Sequence, residues 1–280
     1  MPWERIESYS YWILFAATFL GVAVWESFRP RRELSTPPER RWGKHGLVLV
    51  VGTVISVGIY RVSPVVVAIA FAGNRYGLLN KPWIPFIGRC ILAVLLLDFV
   101  KYAIHRAFHS VSFLWRVHQV HHSDPDFDVS TAARVHPIEI ILTQAAYLSV
   151  TAMFAPPVAG VLIAELISAF QSFFGHANAC LPGWVENPLR LVFVTPDMHR
   201  IHHSEEVEEQ FANFGDSLPW WDYLLRTYRA APAAGQKGMV ADSRGIRTTP
   251  ASAWCSCSRS RSCPSGKSSR LPQHLCRKAS

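Results

Sequence analysis

Ten of the twelve histidines in this 280-residue chain fall between His105 and His203, and eight of those ten form three tight groups. His105 pairs with His109, His118 stands with His121 and His122, and His199 stands with His202 and His203. On an α-helix, residues three and four apart share a face with β-carbons about 5–6 Å from one another, so each group can aim two or three imidazoles at one point. One ion takes roughly four to six ligands, so eight clustered imidazoles with His176 nearby suit two ions better than one. Adjacent histidines would then serve neighbouring metals. Imidazole suits iron, zinc, copper and nickel, so ligand type alone names no metal. A structural zinc site closes with four ligands and favours cysteine, whereas a surplus of imidazoles points to redox chemistry with positions left for oxygen. Carboxylates should orient the ring N–H groups, and Asp98, Asp124, Asp126, Asp197 and Asp222 are the candidates. His45 and His274 stand alone and read as surface or hydrogen-bonded core residues.

Other function classes fit less well. A membrane electron-transfer protein holding haem between two histidines needs two axial ligands per iron, not nine crowded imidazoles. A metal transporter should scatter its ligands along the membrane midplane with carboxylates inside its spans, a reading that Asp98 and Glu165 keep open. No His-Glu-x-x-His occurs, which argues against a metalloprotease.

The elements that must position these histidines are apolar. The chain is 50% hydrophobic, more than a soluble domain needs. Its +8 formal charge gathers from Arg29 to Lys44 and beyond Arg244, which does not suggest nucleic-acid binding. Tyr11 to Phe28 reads as a first membrane span and an uncleaved anchor. The arginine-rich loop after it is placed in the cytoplasm by the positive-inside rule, with the N-terminus outside. Gly46 to Ala72 returns across, with Arg61 snorkelling or the helix kinked near Pro64, and a third span runs from about Ile84 to Ile104. Ile138 to Phe174 holds two apolar runs split by Ala155-Pro156-Pro157, a helical hairpin whose ends emerge on one side. Both histidine-bearing stretches therefore share the cytoplasmic face. The expected architecture is an all-α, polytopic membrane bundle over residues 1–230 with a cytoplasmic, histidine-rich helical cap. Residues 231–280, rich in Ser, Arg and Cys, read as a disordered or degenerate tail lying outside the ligand set. Changes beyond Gly235 are accordingly expected to leave metal content alone. The cysteines, single at Cys90 and Cys180 and crowded at Cys255, Cys257, Cys263 and Cys276, show no disulfide framework and suggest a reducing compartment.

The histidine motifs resemble those of the fatty acid hydroxylase and sterol desaturase superfamily. The matching segments are His105-Arg106-Ala107-Phe108-His109, Leu114-Trp115-Arg116-Val117-His118-Gln119-Val120-His121-His122-Ser123, His176-Ala177-Asn178 and Thr195-Pro196-Asp197-Met198-His199-Arg200-Ile201-His202-His203. Arg134-Val135-His136-Pro137-Ile138-Glu139, Asn213-Phe214-Gly215 and Trp221-Asp222 extend the likeness, which covers roughly Leu96 to Tyr228. The resemblance implies that His105, His109, His118, His121, His122, His176, His199, His202 and His203 ligate two irons, with His136 a possible tenth ligand and zinc a substitute in recombinant protein. It implies O2-dependent hydroxylation or desaturation of a sterol, fatty acyl or related lipid, fed by an external electron donor of the ferredoxin or cytochrome b5 type. A slot toward the bilayer is expected near Phe99, Phe170, Phe173 and Phe174, although packing or lipid contact is the ordinary role of such residues. One departure lies at Leu225-Arg226-Thr227-Tyr228, where arginine replaces the glycine of the family's Phe-Gly-Thr-Tyr, so that end is expected to pack differently.

Overall fold

A computed structural model describes residues 2–73 and 76–241 of the chain. These residues are helical, and among them no β-strand occurs, only isolated bridges between Pro30 and Ala179 and between Ser204 and Ala241. The long helices are α1 (Trp3–Phe28), α2 (Pro38–Tyr60), α3 (Pro64–Phe71), α4 (Phe86–Ser110), α5 (Ser112–His122), α6 (Pro137–Phe154) and α7 (Val158–Gly175). Short helices follow: α8 (Gly183–Leu189), α9 (Pro196–His202), α10 (Val207–Gln210), α11 (Trp220–Leu225) and α12 (Gly235–Gly238).

Four segments are long and apolar enough to cross a membrane: α1, the α2–α3 stretch, α6 and α7. Their outward faces bear this out. On α2, Leu47, Val50, Val54 and Val57 recur at helical spacing and are each more than half exposed, an apolar stripe that water would not tolerate and lipid would. The α2–α3 stretch is kinked, as one of the two expected alternatives had it. Arg61 takes a left-handed conformation (φ 56°), and α3 restarts at Pro64 behind Ser63, whose hydroxyl accepts from the Val66 amide at 3.2 Å. The α6–α7 hairpin turns where expected: Ala155 leaves α6 with φ 43°, and Pro156-Pro157 cannot extend a helix.

The third expected span coincides with a long helix that is more polar than the others. Residues from about Ile84 to Ile104 fall largely within α4, but α4 is not among the segments apolar enough to cross on composition. Its charges, Asp98 and Lys101 together with Arg89 or Arg106, are the reason, and Asp98 and Lys101 are turned to protein. Asp98 is buried and accepts from the amides of Ser217 and Leu218 and from Trp221 Nε1 at 2.7–3.3 Å, while Lys101 pairs with Asp216 at 3.3 Å. Thus α4 turns one face to the protein, while Phe86, Ile87, Ile91 and Leu92 on its N-terminal half are exposed. It lies so close to α7 that a β-carbon on Gly160 would meet Ala93 Cβ at 2.8 Å and Cys90 Cα at 2.9 Å.

Chain direction brings one set of ends together. The C-terminal ends of α1, α4 and α7 and the N-terminal ends of α2 and α6 surround the histidines, with Glu26 of α1 accepting from the amides of Val129 and Asn178. The arginine-rich loop lies at this same end, but two of its arginines are structural. Arg41, buried, bonds Asp124 and Asp128 at 2.6 Å each, and Arg31 bonds Asp197 at 2.9 Å. The lone His45 is a hydrogen-bonded core residue, its Nδ1 2.8 Å from Ser130 Oγ. His274 and the four tail cysteines lie outside the described residues, as does most of the expected tail.

Residues 231–241 do not conform to the expected tail. Gln236 Nε2 donates to the Asp197 carbonyl at 2.8 Å, Met239 is buried, and the Glu205 amide donates to the Val240 carbonyl at 2.9 Å. This stretch straps onto α9, so the folded chain reaches at least to Ala241.

Candidate metal centre

Each histidine is placed by a local stop signal. His105 and His109 occupy the last turns of α4, which breaks at Val111 in an extended conformation (φ −104°) so that α5 can fold back with His118, His121 and His122. His176 is the residue on which α7 ends. For α9, the Thr195 hydroxyl caps the helix through the Met198 amide, Pro196 starts it, and His199, His202 and the terminal His203 follow.

The nine imidazoles converge, and they sort into two groups. His105, His109, His118, His122 and His202 offer ring nitrogens all within 4.8 Å of one another, and so do His121, His176, His199 and His203. The adjacent pairs His121–His122 and His202–His203 are split between the groups, as one-ion-each service requires. The groups also touch: the rings of His122 and His203 stack at 4.3 Å. His136 stands apart from both. Its Nδ1 accepts from the Ile138 amide at 3.1 Å and caps α6, so the possible tenth ligand is a helix cap instead.

The donor chemistry fits metal ions. Nitrogens about 2.1 Å from a shared ion lie about 3.0–3.4 Å from their neighbours on an octahedral or tetrahedral edge. In the four-histidine group, His176 Nε2 is 3.1 Å from His121 Nε2 and 3.0 Å from His199 Nε2, and His199 Nε2 is 3.3 Å from His203 Nε2. His176 Nδ1 donates to the Ser172 carbonyl at 2.6 Å, so its Nε2 presents a bare lone pair to two other rings. In the five-histidine group, Nε2 of His105, His118 and His202 and both ring nitrogens of His109 and His122 are buried without a hydrogen-bond partner among the described residues. Buried polar atoms are rarely left so. Burial pushes the pKa values of His105, His109, His121, His122, His199 and His203 well below the ordinary value, and neighbouring imidazoles push them further. Burial likewise takes His176 down to about 4 and His202 to about 3. At neutral pH these rings are uncharged and can offer lone pairs.

The groups that hold the rings differ from those expected. His105 Nδ1 donates to the Phe214 carbonyl and His202 Nδ1 to the Ala212 carbonyl, both at 2.9 Å, and His118 Nδ1 donates to Glu139 Oε1 at 2.9 Å. None of the five candidate aspartates bonds a ring of the cluster; they form the layer outside it. Asp222 accepts from the amides of Phe214 and Gly215 at 2.8–2.9 Å and so fixes the carbonyl that holds His105. Asp124 holds Arg41, Asp126 holds Ser35 and Thr36, and Asp197 holds Arg31 and Arg200. Glu139 was missed as a positioning residue, although the segment that contains it belongs to the recognised motif. Arg226, the departure from the family, keeps a glycine-like left-handed conformation (φ 59°) at the end of α11, and the Thr227 amide still reaches the Asp222 carbonyl at 2.9 Å. That end keeps the turn that a glycine would make.

A cavity of about 460 Å³ opens on the cluster, with His105, His118, His121, His176 and His199 in its wall. It continues between α1, α2, α4, α6 and α7 along Phe15, Leu49, Ile104, Phe108, Ile140 and Phe173. Of the four phenylalanines expected near a slot, only Phe173 lines it. Phe99 packs on Trp221 at 4.9 Å, and Phe170 stacks on Phe174 at 5.4 Å, the ordinary role.

Residues 90–227 match the fatty acid hydroxylase family. The chain belongs to the fatty acid hydroxylase and sterol desaturase superfamily. It is 28% identical over 233 residues to ornithine lipid hydroxylase OlsE of Rhizobium tropici, covering 79% of this chain and 67% of that protein. It is 33% identical over 160 residues to human alkylglycerol monooxygenase, covering 56% of this chain and 34% of that protein. With C-4 methylsterol oxidase erg25 of Schizosaccharomyces pombe the identity is 29% over 162 residues, 54% of this chain and 52% of that protein. The chain thus spans about a third of the alkylglycerol monooxygenase and half of the methylsterol oxidase. No solved structure matches it significantly.

Proposed function

We propose that this superfamily member is an integral membrane, multi-pass oxidoreductase that binds two iron ions and uses O2 to hydroxylate or desaturate a C–H bond of a lipid. The observation that carries the proposal is the sorting of nine imidazoles, eight of them in buried residues, into groups of five and four whose ring nitrogens lie within 4.8 Å, five of the nine lining a cavity between helices long and apolar enough to cross a membrane. Similarity to a lipid hydroxylase, a monooxygenase and a sterol oxidase supports the reaction class. Bound iron would supply the activation of O2 with two electrons from an external donor of the ferredoxin or cytochrome b5 type.

The chain's own residues supply everything else. His105, His109, His118, His122 and His202 would hold one ion, and His121, His176, His199 and His203 the other. Glu139 and the carbonyls of Phe214, Ala212 and Ser172 fix which ring nitrogen is bare. The apolar wall of Phe15, Ile104, Phe108 and Phe173 excludes water and holds a lipid chain beside the cluster. The arginine-rich loop lies at the histidine end, which supports a cytoplasmic orientation for the metal centre. The haem alternative loses support, since crowded nitrogens this close leave no gap for a porphyrin.

Metal analysis of purified protein tests the proposal, with two irons per chain expected. Replacing His202 and His203 together with alanine should leave the chain membrane-inserted, remove bound metal and abolish incorporation of heavy-isotope O2 into lipid. Unchanged metal content and turnover in that variant would overturn the proposal.

A further inference from the structure

A second exposed apolar surface lies outside the four spans, on α11 and the stretch around Leu191. Trp220, Tyr223, Leu224 and Leu225 are exposed on α11, Leu224 by 71%, and Leu191 (64%) and Val192 are exposed beside them. The charged residues of these stretches are all engaged: Arg190 pairs with Glu186, Asp216 with Lys101, and Asp222 accepts from backbone amides. The two stretches are bonded into one patch. Trp220 Nε1 donates to the Leu191 carbonyl at 2.7 Å, the Tyr223 hydroxyl to the Arg190 carbonyl at 2.9 Å, and the Val194 amide to the Ser217 carbonyl at 2.9 Å. Depth says what covers it. Helices α6 and α7 have 18 residues each, a length of about 27 Å, so to cross a hydrocarbon core of about 30 Å they must reach its edge at their histidine ends. Ser168 stands seven residues before the end of α7, about 10 Å inside that edge, and its hydroxyl donates to Asp216 at 3.0 Å. Asp98 stands seven residues before His105, about 10 Å along α4 in the same direction, and accepts from the amides of Ser217 and Leu218 and from Trp221 Nε1. Gln171, four residues before the end of α7, donates to the Val194 carbonyl.

We infer that residues 189–194 and 214–225 form a re-entrant element that enters the bilayer from the histidine end to about 10 Å, its outer face covered by lipid acyl chains. The inference rests on the multi-pass membrane reading of the proposed function. Non-helical backbone is tolerated at that depth only where protein satisfies it, and here two buried carboxylates do so. Asp98 takes the amides of Ser217 and Leu218, and Asp222 those of Phe214 and Gly215. Asp98 on α4 is thereby explained as the cap of a membrane-embedded turn. The aromatic residues on the outer face are of the kind that settle between hydrocarbon and headgroups, and Arg226, the next exposed residue after Leu225, marks the return to water. Gly215 and Asp216 line the cavity while Trp220 and Leu224 face outward, so the element stands between the slot and the surrounding lipid.

Photo-cross-linking of the full-length chain in phosphatidylcholine nanodiscs tests this. The photoreactive residue p-benzoylphenylalanine is placed singly at Leu224, at Leu191, at Val54 on the exposed stripe of α2, and at Glu208, an exposed residue of α10. After illumination, intact mass and fragmentation report what each position has captured. Leu224→p-benzoylphenylalanine and Leu191→p-benzoylphenylalanine should each gain the mass of one phospholipid, attached through its acyl chain, in a yield matching that at Val54. The Glu208 variant should gain none. Lipid adducts missing at both Leu224 and Leu191 while Val54 gains one would overturn the inference. Attachment confined to the headgroup would overturn it too, as would an acyl adduct at Glu208 as abundant as at Leu224. Cross-linking of Leu224 to a second copy of the chain would assign the patch to an oligomer interface and overturn the lipid assignment. A chain in which Val54 itself captures no lipid would overturn the membrane reading on which the inference rests, a result distinct from failure at the patch alone.

Discussion

Glu139 offers the sharpest separation of the two proposed ions. It stands in the first turn of α6, and its Oε1 accepts a hydrogen bond from His118 Nδ1–H at 2.9 Å, which leaves His118 Nε2 bare and directed into the five-histidine group. In Glu139→Ala the ring loses this anchor, so it can rotate or take the other tautomer. Partners of this kind typically contribute 10–100-fold to metal affinity, about 1.4–2.7 kcal/mol. His118 belongs to one group only, so the loss should be confined to one ion. In a chelator titration followed by metal analysis, Glu139→Ala should release its first iron about 10–100-fold more readily than the wild type, while the second iron leaves as before. Glu139→Gln keeps an acceptor without the charge and should fall between. Equal weakening of both ions would mean that the groups are not separate sites. No shift at all would mean that the carboxylate does not position His118.

Other outcomes follow from the same structure. The metal-free chain should lose stability as pH falls below about 6.5, because the unfolded imidazoles then take up protons while His176 and His202 stay neutral in the folded chain until about 4 and 3. Each contributes a slope of about 1.4 kcal/mol per pH unit across that window, and a flat thermal-unfolding profile between pH 6.5 and 5 would contradict this. Arg226→Gly should raise stability by roughly 0.5–1 kcal/mol, since the exposed arginine is held at φ 59° and glycine removes that strain at some entropic cost. A denaturation midpoint that drops would refute it. Truncation after Gly235 should lower metal retention on heating, because it removes Gln236 from Asp197 and exposes the face that Met239 covers, worth about 1.5–3 kcal/mol. Metal retention equal to that of the full chain would restore the view of this stretch as a dispensable tail.

The histidines were legible because the helix repeat converts spacing into direction: i, i+3 and i+4 imidazoles share a face whatever packs around them. The hairpin was legible because Ala155-Pro156-Pro157 leaves a helix few alternatives. What holds the rings was far less so. Three of the four Nδ1 partners are the carbonyls of Phe214, Ala212 and Ser172, and a carbonyl is present at every residue, so nothing in the sequence marks it. The partners of Asp98 and Lys101 on α4 were hidden for a related reason: hydropathy sums a side chain's polarity without knowing that its partner is Trp221 or Asp216. Gln236 and Met239 sit in a segment with no periodicity, and only their packing on α9 gives them meaning.

The loop between α1 and α2 carries the same lesson into function. Its arginines served as a sign of sidedness, yet Arg41 is buried between Asp124 and Asp128, and Asp126 accepts from the amides of Ser35 and Thr36 at 2.8–2.9 Å. Uncharged imidazoles packed within coordination distance do not attract one another, so something outside them must set their spacing. These aspartates tie the α1–α2 loop to the segment that follows His121 and His122. Glu26 of α1 ties that same segment to Asn178, two residues past His176. The membrane anchors therefore help to hold the centre, and the two parts form one mechanical unit.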